Sequence, residues 1–163
     1  ARLRKSHSGN ENMTVRQRFT EEGRAMLFIG NYFNEDHVGK IMYSHPVTGE
    51  EVTIPYAGTP TCWPALYAVL TPVGIDIAPG LKMLHCTSDI LDISVKSVHI
   101  ELILYGDRDL LGEIVLEGEK VGKIKSVEVD GEALSFMKNE KRMVVNYIHK
   151  HRIEVDLKIN IGE

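Results

Sequence analysis

The sequence is poor in the residues that usually announce a chemistry. Its 163 residues include two cysteines, one tryptophan and six prolines. Neither Cys62 nor Cys86 belongs to a C-x-x-C or C-x-x-H pair, which removes the common zinc and thioredoxin-like motifs. Two buried, reduced thiols are the plainer reading, and a Cys62–Cys86 disulfide stays open because spacing alone says nothing of their separation. No apolar run is long enough to span a bilayer. Positive charge is not in excess: 19 basic against 23 acidic residues leave a formal net charge of -4. That gives no electrostatic push toward nucleic acid or an anionic membrane. There is no Gly-x-Ser-x-Gly elbow and no glycine-rich phosphate loop. No segment shows a helical period with caps at its ends.

What remains is β structure. Val98, Ile100, Leu102 and Leu104 fall on one face of an extended chain, with His99, Glu101, Ile103 and Tyr105 on the other. Gly106-Asp107-Arg108-Asp109 is a polar break, after which Gly112–Leu116 resumes as a strand. Thr14–Phe19 alternates, Glu21-Glu22-Gly23 is a turn, and Arg24–Phe33 is strongly apolar. Its aromatics and glycines favour a two-stranded hairpin over a helix. Lys40–Tyr43 and Glu51–Pro55 read as a second hairpin. Val73–Ile77 and Leu81–His85 read as short strands between Pro and Gly breaks. Asp130-Gly131 is the strongest hairpin signal in the chain. Arg142–Ile148 and Arg152–Ile161 form the last pair of strands, the second alternating without a gap.

The expectation is an all-β fold, an antiparallel β-sandwich of jelly-roll-like kind with a second small β unit allowed for. Residues 1–12, basic and polar, read as a mobile arm or linker, and 13–117 as the sandwich. Residues 118–163 either complete it or form a small second unit. The length suits one main domain, and 43% hydrophobic with 26% charged residues argues against disorder. Residues 1–12 lack the apolar core of a signal peptide, so the expected location is cytoplasmic. An alanine at position 1 suggests a processed product or one piece of a longer protein.

Candidate sites are few. The carboxylate pairs Glu35/Asp36, Glu50/Glu51, Asp89/Asp92 and Asp107/Asp109 sit in turns, where solvated side chains are the ordinary outcome, and none is assigned a catalytic role. His149 and His151 share one face of an extended segment, but no third ligand stands at a readable spacing, so no metal and no cofactor are expected. Trp63, Tyr56 and Tyr67 surround a loop rich in Pro, Gly and Thr. Aromatic faces can stack on sugar rings, which makes these three the candidate carbohydrate contacts. Packing of Trp63 over the edge of a core is the competing reading.

One stretch resembles a known family. Gly80-Leu81-Lys82-Met83-Leu84-His85-Cys86-Thr87-Ser88-Asp89-Ile90-Leu91, then Leu104-Tyr105-Gly106 and Gly112-Glu113, is similar to the β region of family 35 glycoside hydrolases. The archaeal β-galactosidase and exo-β-glucosaminidase branch is the part it resembles. Leu27-Phe28-Ile29-Gly30-Asn31-Tyr32-Phe33-Asn34 resembles the strand that opens that region. The resemblance runs over roughly Val15–Glu117 and departs at Asp107–Leu111, where the family tends to Gly and Pro. Its catalytic glutamates lie in a (β/α)₈ barrel of about 250 residues, for which this chain is too short, so no catalytic residue is carried over. The resemblance implies a non-catalytic β-sandwich that braces a catalytic barrel domain or subunit, walls the substrate cleft or builds a homodimer interface. A free-standing carbohydrate-binding module and a structural interaction domain are the alternatives. Neither nucleic acid nor membrane is an expected partner.

Overall fold

The computed structural model describes residues 6–58, 60–96, 98–106, 111–148 and 153–159. The chain is all-β and its strand pairings are antiparallel. Among the described residues the only helical element is a 3₁₀ turn, Val121–Lys123. The chain divides into two compact units between Gly74 and Ile75.

The first unit holds eight strands: β1 (His7–Ser8), β2 (Met13–Phe19), β3 (Ala25–Asn31), β4 (His37–Gly39), β5 (Ile41–Ser44), β6 (Glu51–Ile54), β7 (Thr61–Trp63) and β8 (Tyr67–Val73). They form sheets of order β2-β3-β8, β1-β5-β6 and β4-β7. The expected hairpin around Glu21–Gly23 is β2–β3, with Gly23 at φ 75°, a left-handed conformation that glycine adopts without steric cost. Leu27 and Ile29 of β3, Ile41 and Tyr43 of β5, and Val52 and Ile54 of β6 are buried. Gln17 links two sheets: its Nε2 donates to the Ser44 carbonyl (2.6 Å) and its Oε1 accepts from the Ser44 amide (3.0 Å). From Ser6 onward the expected arm is tied in. His7–Ser8 pairs with Ile41–Met42, the Gly9 amide donates to the Lys40 carbonyl, and Asn10 Nδ2 donates to the Val38 carbonyl.

The second unit is a two-layer sandwich. Its strands are β9 (Ile75–Ala78), β10 (Leu81–Cys86), β11 (Asp89–Val95), β12 (His99–Tyr105), β13 (Leu111–Glu117), β14 (Ile124–Val129), β15 (Glu132–Leu134), β16 (Met137–Lys138), β17 (Arg142–Ile148) and β18 (Ile153–Ile159). One five-stranded sheet runs β16-β17-β13-β10-β9 and the other β11-β12-β18-β14-β15. Leu81, Met83, Ile114, Leu116, Met143 and Val145 of the first meet Ile100, Leu102, Leu104, Ile124, Val127 and Val155 of the second in one core. Burying an aliphatic side chain of this kind stabilises by about 1.5–3 kcal/mol. Ile100, Leu102 and Leu104 face that core as their alternation predicts, while Val98 lies outside the strand and is exposed.

Two pairs of sequence neighbours are not pairing partners. β12 and β13 belong to opposite sheets, and so do β17 and β18. Each strand contributes one inward face to a different layer, which alternation alone cannot distinguish from a hairpin. Asp130-Gly131 does close a hairpin, β14–β15, with both residues at positive φ (51° and 80°), as a type I′ turn requires. The segment 118–163 is interleaved with what precedes it: β17 pairs with β13, and β18 with β12.

Candidate functional site

The three aromatics singled out in the loop do not share one exposed surface. Trp63 is 3% exposed, and its Nε1 donates to the Gly39 carbonyl at 2.9 Å. Buried indole with its nitrogen satisfied is a packing arrangement. The Tyr67 ring leans on Trp63, with centroids 6.0 Å apart at 50°. Tyr56 is half-buried at the end of β6, where its carbonyl accepts from Thr53 Oγ1 (3.4 Å). The loop carrying Trp63 is held by Asn31. Asn31 is fully buried, and its Nδ2 lies 3.0, 2.8 and 2.9 Å from the carbonyls of Trp63, Pro64 and Glu35.

A second group, brought together only by the fold, is built on β10, β13 and β17. His85 Nε2 and Glu113 Oε1 are 2.8 Å apart, with side chains 0% and 4% exposed. A bulge between Met83 and His85 shifts the register of β10 so that His85 stands opposite Val115 and Cys86 opposite Ile114. His85, Glu113 and Val115 thus occupy the face away from the core, and Cys86 the face toward it. Thr87 closes the end: its Oγ1 accepts from the Glu113 amide (2.8 Å), and its own amide donates to the Glu113 carbonyl (3.0 Å). On the core side the Tyr147 hydroxyl bonds Ser88 Oγ (2.8 Å) and lies 3.6 Å from Cys86 Sγ. Burial pushes the Cys86 thiol up to about 11 and the Tyr147 hydroxyl well above its ordinary range. These contacts tie neighbouring strands β10, β13 and β17 of one sheet together and satisfy polar atoms that burial removes from water.

The open surface with distinctive chemistry is the outer face of β2-β3-β8. Registry places three rows across it: Thr14–Gly30–Ala68, Arg16–Phe28–Leu70 and Arg18–Met26–Pro72. The opposite face carries Val15–Ile29–Val69 and Gln17–Leu27–Thr71, largely buried. A solvated sheet face is normally polar, yet the β3 and β8 columns of this one are apolar. Leu70 is 57% exposed and Tyr32, just beyond β3, is 62% exposed. Phe28 and Tyr32 lie nearly parallel (25°) with centroids 6.3 Å apart. Gly30 sits beneath them. A Cβ there would come within 3.1 Å of the Phe28 ring and 3.3 Å of the Tyr32 ring. The missing side chain therefore lets both rings lie against the strand. Arg16 and Arg18 are exposed along the β2 edge.

The remaining candidates are separate. Cys62 and Cys86 are both free thiols. Among the described residues no three His, Cys, Asp or Glu side chains gather as a metal-binding set, and no helix is long and apolar enough to cross a membrane. His149, His151, Asp107 and Asp109 lie outside the described residues. No family model matches the chain, and no curated protein matches it.

Proposed function

We propose that the chain is a non-catalytic β module of a carbohydrate-active enzyme, of the β-galactosidase-like glycoside hydrolase kind, and that it engages sugar. The observation that carries the reading is the nearly parallel pair of half-buried Phe28 and exposed Tyr32 on a sheet face whose β3 and β8 columns are apolar. Pyranose rings present flat C–H surfaces, and aromatic side chains bury such surfaces well. The residues quoted for the family 35 resemblance supply the enzyme class. The retaining chemistry of such an enzyme would rest on paired carboxylates in another domain.

The test combines turnover with binding. The chain alone is expected to leave nitrophenyl galactoside and nitrophenyl glucosaminide intact. It is expected to bind galacto-oligosaccharides in an NMR titration, with the shifts centred on Phe28 and Tyr32. Turnover by the isolated chain, or no binding at millimolar sugar, overturns the reading.

A second reading follows from the same face. Tyr, Phe, Met and Arg are enriched, and Lys, Glu and Asp depleted, in protein interfaces. Phe28, Tyr32, Met26, Arg16 and Arg18 fit that composition. A bracing contact with a catalytic barrel, or a homodimer, would use it. Sedimentation at increasing concentration separates a self-associating chain from a monomer.

A further inference from the structure

The outer face of β2-β3-β8 has a size and a charge as well as an apolar character, and both narrow its occupant. β3 has seven residues. At about 3.4 Å per residue and about 4.8 Å between strands, three strands project roughly 24 Å by 14 Å, or about 340 Å². A stable protein–protein contact covers about 800 Å² on each partner. The figure of about 340 Å² is a flat projection of the sheet, and only its β3 and β8 columns are apolar. An elongated small ligand fits it better than a folded domain.

The charge lies along one edge. Arg16 is in register with Phe28, and cross-strand neighbours hold their Cβ atoms about 5 Å apart. Arg18 follows on the same face about 7 Å further along β2. Both side chains are exposed, and neither makes an ion pair with a described residue. These two guanidiniums face outward from a chain of net charge -4. Guanidinium groups bind carboxylates through two parallel N–H···O bonds, a geometry lysine does not reproduce. A sugar seated over Phe28 would carry its ring substituents into the reach of Arg16.

We propose that this face binds an acidic oligosaccharide, a chain of uronic-acid type. Its rings stack along Tyr32, Phe28 and Leu70, and its carboxylates pair with Arg16 and Arg18. The inference rests on the sugar-engaging function proposed above and adds the charge class of the ligand.

The experiment titrates the full chain with tri-galacturonate and with an uncharged galacto-trisaccharide, at two salt concentrations. The acidic probe should bind about tenfold more tightly, since one charge-assisted hydrogen bond is worth about a factor of ten. The advantage should shrink at the higher salt. Arg16→Ala with Arg18→Ala should abolish the preference, and Tyr32→Ala should weaken both probes. Gly30→Ala, which displaces the two rings without requiring a new backbone conformation, is a second handle on the stacking. Thermal unfolding of each variant checks that the fold persists. Equal affinity for both probes, unmoved by the arginine changes, overturns the acidic assignment and leaves the sugar-engaging function standing. No binding of either probe overturns both. Self-association lost in Tyr32→Ala, without sugar binding, assigns the face to a second copy of the chain and overturns the proposal.

Discussion

Strands β3 and β13 look alike in sequence and live differently in the protein. Ala25-Met26-Leu27-Phe28-Ile29 and Gly112–Leu116 are both dense in apolar residues, the pattern of a strand covered on both sides. For β13 that holds: Gly112, Glu113, Ile114, Val115 and Leu116 are all buried. For β3 it holds on one side. Leu27 and Ile29 are 0% and 1% exposed, while Met26 and Phe28 are half-buried, and Leu70 beside Phe28 is open to solvent. Apolar density therefore measures how much surface a strand offers for covering, not whether the fold covers it. Where the cover is absent, the leftover surface is a candidate for a ligand.

The sharpest way to break the comparison is to remove matched atoms from each region. Leu102 fills the sandwich core and is 0% exposed. Leu102→Ala should destabilise the protein by about 3–4 kcal/mol, the cost of a buried leucine truncation with partial collapse of its cavity. Urea unfolding measures it, and a loss under 1 kcal/mol would mean that the two sheets repack freely.

Next comes the pair beneath the β10 bulge. Glu113→Ala leaves the enclosed His85 without the carboxylate 2.8 Å away. Stability should fall by about 3 kcal/mol, more than a surface ion pair is worth. A Glu113→Ala, His85→Ala cycle isolates the coupling, and an additive cycle would show that the two groups act independently.

The buried thiol gives a smaller, pH-limited effect. Cys86 ionises near its ordinary 9.0 in the unfolded chain and near about 11 in the folded one. Below pH 9 the thiol is neutral in both states, and its environment stabilises the fold fully. Above pH 9 the unfolded state loses its proton first, so stability falls until the folded thiol ionises near pH 11. A shift of that size corresponds to roughly 3 kcal/mol. Tyr147 shifts in the same direction. Cys86→Ala should flatten the decline between pH 9 and 11 by that order, and an unchanged pH profile would remove Cys86 as a contributor.

These elements also show how far the sequence can be read. Alternation in Ile100–Leu104 and the Asp130-Gly131 turn are local signals, and the strand and the hairpin formed where those signals lie. Which sheet a strand joins is set by distant pairing, so β12 and β13, separated by a polar break, enter opposite layers without any local sign. The His85–Glu113 contact depends on a bulge and spans 28 residues. Trp63 is the single tryptophan of the chain, in a loop rich in Pro and Gly, which marks it as a candidate contact. The indole instead turns inward to the Gly39 carbonyl. Phe28 and Tyr32 were hidden in a run whose outward face could be assigned only after β8 was placed beside β3.

The smallest stability effect is the most informative about function. Leu70→Ala removes the same atoms as Leu102→Ala, from the β8 end of the row Arg16–Phe28–Leu70. Leu70 is 57% exposed, so its truncation should change stability by no more than about 0.5 kcal/mol, the usual range for surface positions. If the face is a sugar platform, the same change should weaken oligosaccharide binding severalfold while the unfolding curve stays in place. A binding loss without a stability loss separates a ligand surface from a packing surface. The reverse pattern, a stability loss of several kcal/mol with unchanged sugar affinity, would place Leu70 in a covered core and make β3 the equivalent of β13.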